Sequence, residues 1–263
     1  MKQEMHWSPF LAVLWREIRR FMRVLFQTVV TPLINSTLYL LIFGVSMGRG
    51  LEAPQGLSYL AFLVPGLTMM TALNNAFQNA SGCIVTAKFT GELEDFRTSP
   101  LSKTQMLWGL GFGAVVRGCT VAAVTFAVGE AFHYQMHGAW IWPSHPGYLL
   151  FFIVAGTLQF GFLGIWLALW AKGFDQLSGI GAFILMPLLY LGGVFFSIED
   201  LPGFWQSAAK ANPVLYLING VRYGILSYTD VSVSGAIGIA VLALLVMYAL
   251  AFHALVKGSF ERW

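Results

Sequence analysis

The chain has 263 residues, of which 57% are hydrophobic and only 10% are charged, with a net charge of +3. A soluble domain usually carries about 25% charged residues, so this sequence has too few polar side chains to cover a water-facing surface. The composition excludes an ordinary soluble protein and predicts an all-α integral membrane protein, with one transmembrane domain over residues 1–263. Cys83 and Cys119 fall in apolar stretches, which predicts buried thiols rather than a disulfide.

Residues 1–23 are predicted to form an amphipathic helix in the membrane interface. In the run SPFLAVLWREIRRFMR, apolar residues recur at helical spacing and arginines fill much of the other face. We expect this basic face to point toward lipid headgroups. The alternative is a basic flank that only orients the first span. The apolar residues are Leu11, Leu14, Trp15, Ile18, Phe21 and Met22, and the basic ones are Arg16, Arg19, Arg20 and Arg23.

Six apolar stretches follow, each near the length of about 20 residues that a membrane-spanning helix needs. Counted by alternate segments, eleven of the fifteen Lys and Arg fall on the side of both termini. The positive-inside rule then predicts a multi-pass protein of the inner (plasma) membrane with both termini in the cytoplasm. Glycine pairs four residues apart predict close helix contacts, at 44/48, 109/113 and 220/224. The six stretches are 24–48, 58–84, 104–130, 147–171, 177–196 and 232–256.

Polar side chains inside the predicted spans are candidates for a translocation path. A central arginine costs about 2.5–3.5 kcal/mol on insertion scales, so Arg117 is expected to meet a polar partner or water. The candidate partners are amides on the second span, where pairs four residues apart share a helix face. The group could line the path or bind an anionic headgroup, or could instead form structural hydrogen bonds between helices. The amides are Asn74, Asn75, Gln78 and Asn79.

The loop at 86–103 concentrates charge, with five charged residues among the thirteen of KFTGELEDFRTSP (88–100). As a helix over 88–98, it would place Phe89, Leu93 and Phe96 along one face. Such an apolar ridge with a charged border suits the groove of a partner protein. The alternative is an ordinary loop that charge keeps soluble. The charged residues are Lys88, Glu92, Glu94, Asp95 and Arg97.

The predicted outer region 197–228 is too apolar for a solvated loop, and prolines and glycines interrupt it. This pattern predicts short re-entrant helices that dip into the membrane between the fifth and sixth spans. The alternative is a packed extracellular cap. His133 and His137 have metal-ligand spacing, but no Glu stands beside them as in a zincin motif, so no metal site is predicted. The chain has no nucleotide-binding motif and no credible nucleophile–base pair, so no enzyme activity is expected of it alone.

Several of these segments together resemble ABC-2-type permeases, the membrane subunits of a class of ABC exporters, and most closely the YadH-like subgroup. The most specific similarity is a Pro, an aromatic three residues on and an Arg six further, here Pro213, Tyr216 and Arg222. Gly192 and Gly193 belong to the same pattern. The resemblance covers essentially the whole chain through LIFGVSMG (41–48), FLVPGLTMM (62–70), KFTGELEDFRTSPLS (88–102), FDQLS (174–178), PLLYLGGVFFSIEDLP (187–202) and NPVLYLINGVRYG (212–224).

The resemblance implies a permease that pairs with a second copy and with separate ATPase subunits, which would bind ATP and Mg. The 86–103 loop would then be the coupling helix, and 88–97 its contact with the ATPase. The cargo would be an amphipathic, lipid-linked or glycan molecule, or a drug, exported from the cytoplasm or inner leaflet. Two alternatives remain: a stand-alone channel or secondary transporter built on Arg117 and the amides, and a membrane scaffold that moves nothing.

Overall fold

The protein folds into a bundle of helices. The computed structural model describes residues 7–47, 54–92 and 101–257, and within these ranges all the long elements are helical and no strand occurs, as predicted. Short 3-10 turns cover Pro54–Gly56 and Ile198–Asp200. The helices are α1 (Trp7–Arg23), α2 (Leu25–Tyr39, continued by a π-helical segment Leu40–Met47), α3 (Tyr59–Thr90), α4 (Lys103–His137), α5 (Pro146–Trp170), α6 (Phe174–Tyr190), α7 (Gly203–Ala211), α8 (Pro213–Leu226) and α9 (Val233–Lys257).

Five of the described helices, α2, α3, α4, α5 and α9, are long and apolar enough to cross a membrane. At the position of the predicted fifth span lies α6, which is apolar but shorter. A helix of that length rises about 25 Å, less than the roughly 30 Å of a bilayer core. The prediction of a span over 177–196 was wrong at its end, because α6 stops at Tyr190 and Gly193 then adopts a left-handed turn with φ +81. Hydropathy could not locate this turn, since the residues after it are equally apolar.

Helix α3 forms the centre of the bundle, and almost every residue from Leu60 to Leu73 is buried. It packs against α4, α5 and α8, whereas α2 and α9 expose most of their apolar surface.

The bundle has two ends. The end with α1, where α3 and α5 finish, is called the α1 end here, and the end where α3 and α5 begin is called the opposite end.

Glycines allow the closest helix contacts, as the small-residue pairs predicted. A Cβ atom on Gly113 would lie 2.8 Å from Cβ of Glu17, so α4 can meet α1 only because this position is glycine. On α8, a Cβ on Gly220 would overlap the ring of Phe152 in α5. The Gly109/Gly113 pair therefore receives α1 rather than another span, and the Gly220/Gly224 pair receives α5.

Helix α8 runs antiparallel to α5 and reaches into the middle of the bundle. Gly224 contacts Leu149 near the start of α5, Gly220 contacts Phe152, and Leu217 contacts Gly156 further along. The first turns of α8 therefore lie beside the middle of α5, and α8 leads from there to the opposite end. Its 14 residues from Pro213 to Leu226 are mostly buried, and it begins at a cap formed by Asn212, whose side chain accepts a hydrogen bond from Val214 N.

Helix α1 has the predicted periodicity, but its contact face differs from the expected one. Val13, Glu17 and Phe21, four residues apart, are buried against the bundle. Leu11, Trp15 and Met22 are each 55% exposed and lie on a different face. The expectation that the basic face meets lipid headgroups stays a prediction, and two of its arginines, Arg16 and Arg20, also bind Glu17, as described below.

Candidate functional site

A polar cavity of about 340 Å³ lies between α2, α3, α4 and α6. It brings together four of the five polar residues predicted inside the spans, because the amide face of α3 and the middle of α4 both point toward α2. Thr71 of α3 also borders the cavity. Sequence analysis missed the contribution of α2, whose polar residues are spaced along one helix face. The predicted residues in the lining are Asn74, Asn75, Gln78 and Arg117, and those from α2 are Gln27, Thr28, Thr31, Asn35 and Tyr39.

The predicted pairing of Arg117 with the α3 amides is not formed. Asn75 donates to Thr71 O at 3.1 Å, and Gln78 donates to Asn74 Oδ1 at 3.3 Å. Within the described residues Arg117 makes no hydrogen bond or ion pair, and its buried Nε has no partner. The arginine thus shares the cavity with the amides while its charge is left uncompensated by protein groups, an arrangement that favours an anion or water in the cavity.

The fifth predicted residue, Asn79, lies outside the cavity and binds α1 instead. Arg20 Nη2 donates to Asn79 O at 2.9 Å and to Asn79 Oδ1 at 3.2 Å. The same guanidinium forms a 2.7 Å ion pair with Glu17, which is only 1% exposed. Cys83 donates to Glu17 Oε1 at 3.3 Å. This cluster attaches α1 to α3, so Asn79 has a structural role.

Glu17 was not identified from the sequence. A single acidic residue among four arginines looks like part of a charged surface, and only its position four residues from both Val13 and Phe21 could have indicated burial. Arg16 also contacts Glu17, at 3.1 Å. The buried carboxylate is therefore shared by two guanidinium groups, which compensates the cost of burying its charge.

The segment predicted to couple to a partner begins differently from the prediction. Lys88 and Phe89 belong to the last turn of α3, which ends at Gly91 with φ +80, so the expected helix does not start at Lys88. Lys88 is buried, and its Nζ donates to Leu169 O at 2.6 Å and to Ala171 O at 3.2 Å. These carbonyls end α5, so Lys88 caps that helix where its dipole favours a cation.

Two residues of this segment are free to meet a partner, since Phe89 is 76% exposed and Glu92 is exposed as well. Burial of Lys88 removes it from the predicted contact surface. The remaining residues of the predicted coupling contact, Leu93, Glu94, Asp95, Phe96 and Arg97, lie outside the described residues.

The residues of the Pro–aromatic–Arg pattern organise the connection between α6, α7 and α8. Pro213 is the first residue of α8, a position where its missing N–H costs nothing. Tyr216 donates its hydroxyl hydrogen bond to Lys210 O at 2.8 Å, which ties α8 to the end of α7. Gly192 and Gly193 form the turn after α6, where a side chain on Gly192 would meet Ile218 and Val214 of α8 at 2.9 Å.

Arg222 is completely buried and connects this turn to the segment after α8. Its Nη2 donates to Gly193 O at 2.7 Å, and its Nη1 lies 3.5 Å from Asp230 Oδ2. The guanidinium also lies over the ring of Phe62, 3.8 Å from the ring centroid. Arg222 therefore stabilises the arrangement of α3, α6 and α8, and does not line the polar cavity.

Asp230, which sequence analysis missed, is the centre of this network. Its carboxylate accepts hydrogen bonds from Ser197 Oγ at 2.7 Å and from the Tyr228 hydroxyl, and its backbone N–H donates to Asn219 Oδ1 at 2.9 Å. Burial, together with the hydrogen bond to Asp230, raises the pKa of Tyr228 to about 12, so this tyrosine is a neutral donor at physiological pH. The sequence gave no signal of this pairing, because Asp230 is a lone aspartate in the short segment between α8 and α9.

His133 and His137 stack on each other with ring centroids 4.5 Å apart. His133 Nδ1 lies 2.8 Å from Ala139 O, which makes this nitrogen a donor to a backbone carbonyl. No group of three metal-ligating side chains occurs within residues 7–47, 54–92 and 101–257.

Comparison with known proteins identifies the family. Residues 8–226 match the model of the ABC-2 type transporter family. The chain belongs to this family. This membership agrees with the resemblance drawn from the sequence motifs. Together with the five long apolar helices, it identifies the chain as a multi-pass permease, the membrane subunit of an ABC transporter. The family implies an ABC ATPase partner in general.

Individual ABC-2 relatives support the same assignment. The chain is 34% identical over 97% of its length to the inner membrane transport permease YadH of Escherichia coli K12, and covers 97% of that protein. It is 27% identical over 85% of its length to the daunorubicin resistance ABC transporter permease protein DrrB1 of Streptomyces coeruleorubidus, covering 78% of it. It is 26% identical over 87% to nodulation protein J of Rhizobium leguminosarum bv. trifolii, covering 86% of it. The similarity to YadH supports an inner-membrane location.

Proposed function

We propose that this chain is the permease subunit of an ATP-driven exporter, working as two copies with separate ATPase subunits that bind ATP and Mg. The observation that carries the proposal is the polar cavity between α2, α3, α4 and α6, in an otherwise apolar bundle of a transporter family. The charge of Arg117 within the membrane costs free energy unless the side chain meets water or cargo. The cavity is therefore the protein's half of the export path.

The flanks of the cavity suit a second copy of the chain. Helices α2 and α6 expose large apolar side chains next to it, with Phe26 81% and Phe183 83% exposed. Single exposed apolar residues are expected in lipid, but two helices bordering the same polar cavity give a second copy a surface that would close the path. Export between two such halves would need no nucleotide site in this chain.

The inner side of the membrane is assigned to the α1 end. The excess of Lys and Arg on the segments at this end supports a cytoplasmic location, as does the amphipathic α1. The segment after α3 then faces the cytoplasm, where Phe89 and Glu92 begin a coupling contact with the ATPase that continues through 93–97. Helices α7 and α8 would form the re-entrant region, since α8 leads from the middle of the bundle outward.

The cargo we propose is amphipathic: a drug, or a lipid-linked or glycan molecule, with an anionic group that meets Arg117. Similarity to a daunorubicin resistance permease supports an amphipathic cargo. The cavity supports it as well, because polar amides and Arg117 face the apolar side chains Met70, Met186 and Leu189 within one lining.

Arg117→Gln tests the role of the cavity. The variant loses no hydrogen bond seen in the structure and removes a charge that is costly in the membrane, so assembly and thermal stability should be unchanged or improved. ATP-dependent uptake of a fluorescent amphipathic organic anion into inverted membrane vesicles should fall by about tenfold, the effect of losing ~1.4 kcal/mol of cargo interaction. Lys257→Gln, which removes an exposed charge at the end of α9, is the control and should transport normally.

Loss of assembly in Arg117→Gln, with no transport-specific defect, would instead assign Arg117 a structural role. The alternative function, a stand-alone channel or secondary transporter that uses Arg117 and the amides, predicts uptake that continues without ATP or the ATPase subunit. A scaffold predicts no loss of export when the chain is deleted.

A further inference from the structure

We propose that the pocket between α1 and the end of α3 binds the phosphate group of an anionic phospholipid. The pocket has a volume of about 550 Å³ and is separate from the cavity around Arg117. All four arginines of α1 line it, together with Glu17 and Glu92. This inference goes beyond the proposed export function, since it concerns a lipid ligand that stays bound rather than cargo that moves.

Charge in the pocket is unbalanced in favour of an anion. Glu17 is already paired with Arg16 and Arg20, at 3.1 and 2.7 Å. Arg19 and Arg23 form no ion pair within the described part of the chain, and Arg19 lies over the Trp15 ring at 5.3 Å. Among the described residues that line the pocket, four guanidinium groups face two carboxylates, and the excess positive charge lies on Arg19 and Arg23.

The buried carboxylate also fixes the shape of the site. Arg20 is held by Glu17 and by Asn79, at 2.7 and 2.9 Å, so one guanidinium is immobilised before any ligand binds. Ordering a flexible side chain is a main cost of binding, and here protein contacts already supply that order. Planar guanidinium groups bind phosphate oxygens through two parallel hydrogen bonds, which a lone lysine cannot do.

The neighbouring surface indicates that the phosphate belongs to a lipid. Leu11, Trp15 and Met22 form an exposed apolar stripe on α1, directly beside the row of arginines. An acyl chain would cover this stripe while the headgroup phosphate meets the arginines, an arrangement typical of interfacial helices. Free phosphate, or an acidic protein segment, would leave the stripe uncovered.

Native mass spectrometry of the purified full chain, released from nanodiscs of equal phosphatidylglycerol and phosphatidylcholine, tests the proposal. The wild-type chain should retain phosphatidylglycerol in preference to phosphatidylcholine. The double variant Arg19→Gln/Arg23→Gln should reduce this retention by about tenfold or more, since each basic residue near an anionic lipid surface contributes to binding. Both side chains are exposed and neither binds Glu17, so α1 should stay attached.

The control variant is Lys103→Gln/Lys210→Gln, which removes two exposed charges elsewhere and should retain phosphatidylglycerol like the wild type. Arg19→Lys/Arg23→Lys should recover part of the preference. Equal retention of the two lipids by the wild type would overturn the proposal. So would equal losses of phosphatidylglycerol in Arg19→Gln/Arg23→Gln and in the control Lys103→Gln/Lys210→Gln. Full displacement of phosphatidylglycerol by excess inorganic phosphate would overturn the lipid assignment and leave a free-phosphate site.

Discussion

Three arginines that look alike in the sequence have different environments in the fold. Arg222 is completely buried and paired with Asp230, Arg20 is shared between Glu17 and Asn79, and Arg117 lines a cavity without a protein partner. The first two cases compensate the cost of a buried charge within the chain, whereas the third leaves that charge available to something that enters the cavity. The difference separates structural from functional arginines.

Removal of Arg222 should destabilise the fold strongly. Arg222→Met leaves Asp230 and Gly193 O buried without their cationic partner, a change that typically costs about 3–5 kcal/mol. The double variant Arg222→Met/Asp230→Asn should recover part of this loss, because the aspartate charge is removed as well. Thermal unfolding in detergent measures both variants, with Lys210→Met, an exposed cation of the same region, as the control. Equal unfolding temperatures for Arg222→Met and the control would contradict the structural role.

Sequence analysis identified Arg117 and its neighbouring amides because polar side chains stand out in an apolar stretch. It missed Glu17, Asp230 and Asn219 because a single sequence does not show that the packing of the helices buries these side chains. It also counted Lys88 as a contact residue, whereas the end of α5 comes within reach of its amine in the fold. The ion pairs and hydrogen bonds of buried side chains depend on tertiary geometry, which residue type alone does not predict.

At the scale of elements, α1 is a docked helix rather than a loosely attached flank. Its periodicity predicted a helix, but the sequence could not decide which face meets the protein, because both Leu11/Trp15 and Val13/Phe21 are apolar rows. The glycines of α4 decide it, since Gly109 and Gly113 accept the backbone and side chains of α1 closely. The ends of α3 and α6 were misplaced for a similar reason: Gly91 and Gly193 terminate them through left-handed turns within sequence that looks continuous.

Docking of α1 should protect Cys83 from thiol reagents. Cys83 is buried beneath α1 and bonded to Glu17, so Glu17→Ala should loosen the helix and expose the thiol. We expect labelling of Cys83 by a membrane-permeant maleimide to become about tenfold faster, in a Cys119→Ser background, since losing a charged hydrogen-bond network costs more than ~1.4 kcal/mol. The control is Arg19→Gln, whose side chain is exposed on the same helix. Similar labelling rates in both variants would contradict the docked position.

At the scale of the whole molecule, composition and motif order were sufficient to predict a helical membrane protein of the ABC-2 family, and the family is now established. The number of spans could not be read from hydropathy, because α6 is apolar but shorter than the helices that could cross a membrane. The cavity proposed as the export path could not be predicted from the sequence either, since it forms only where α2 and α6 meet the polar face of α3. Orientation in the membrane and pairing with a second copy and an ATPase stay proposals.

Purification of this chain from native membranes in mild detergent, with mass spectrometry of the accompanying proteins, tests the exporter proposal most directly. We predict a stoichiometric ABC ATPase that is lost when Phe89, Leu93 and Phe96 are replaced by Ser. Phe204→Ser, at a phenylalanine 77% exposed in α7 at the opposite end, should leave it bound. Absence of any ATPase under several mild detergents would contradict the proposal and favour a stand-alone transporter.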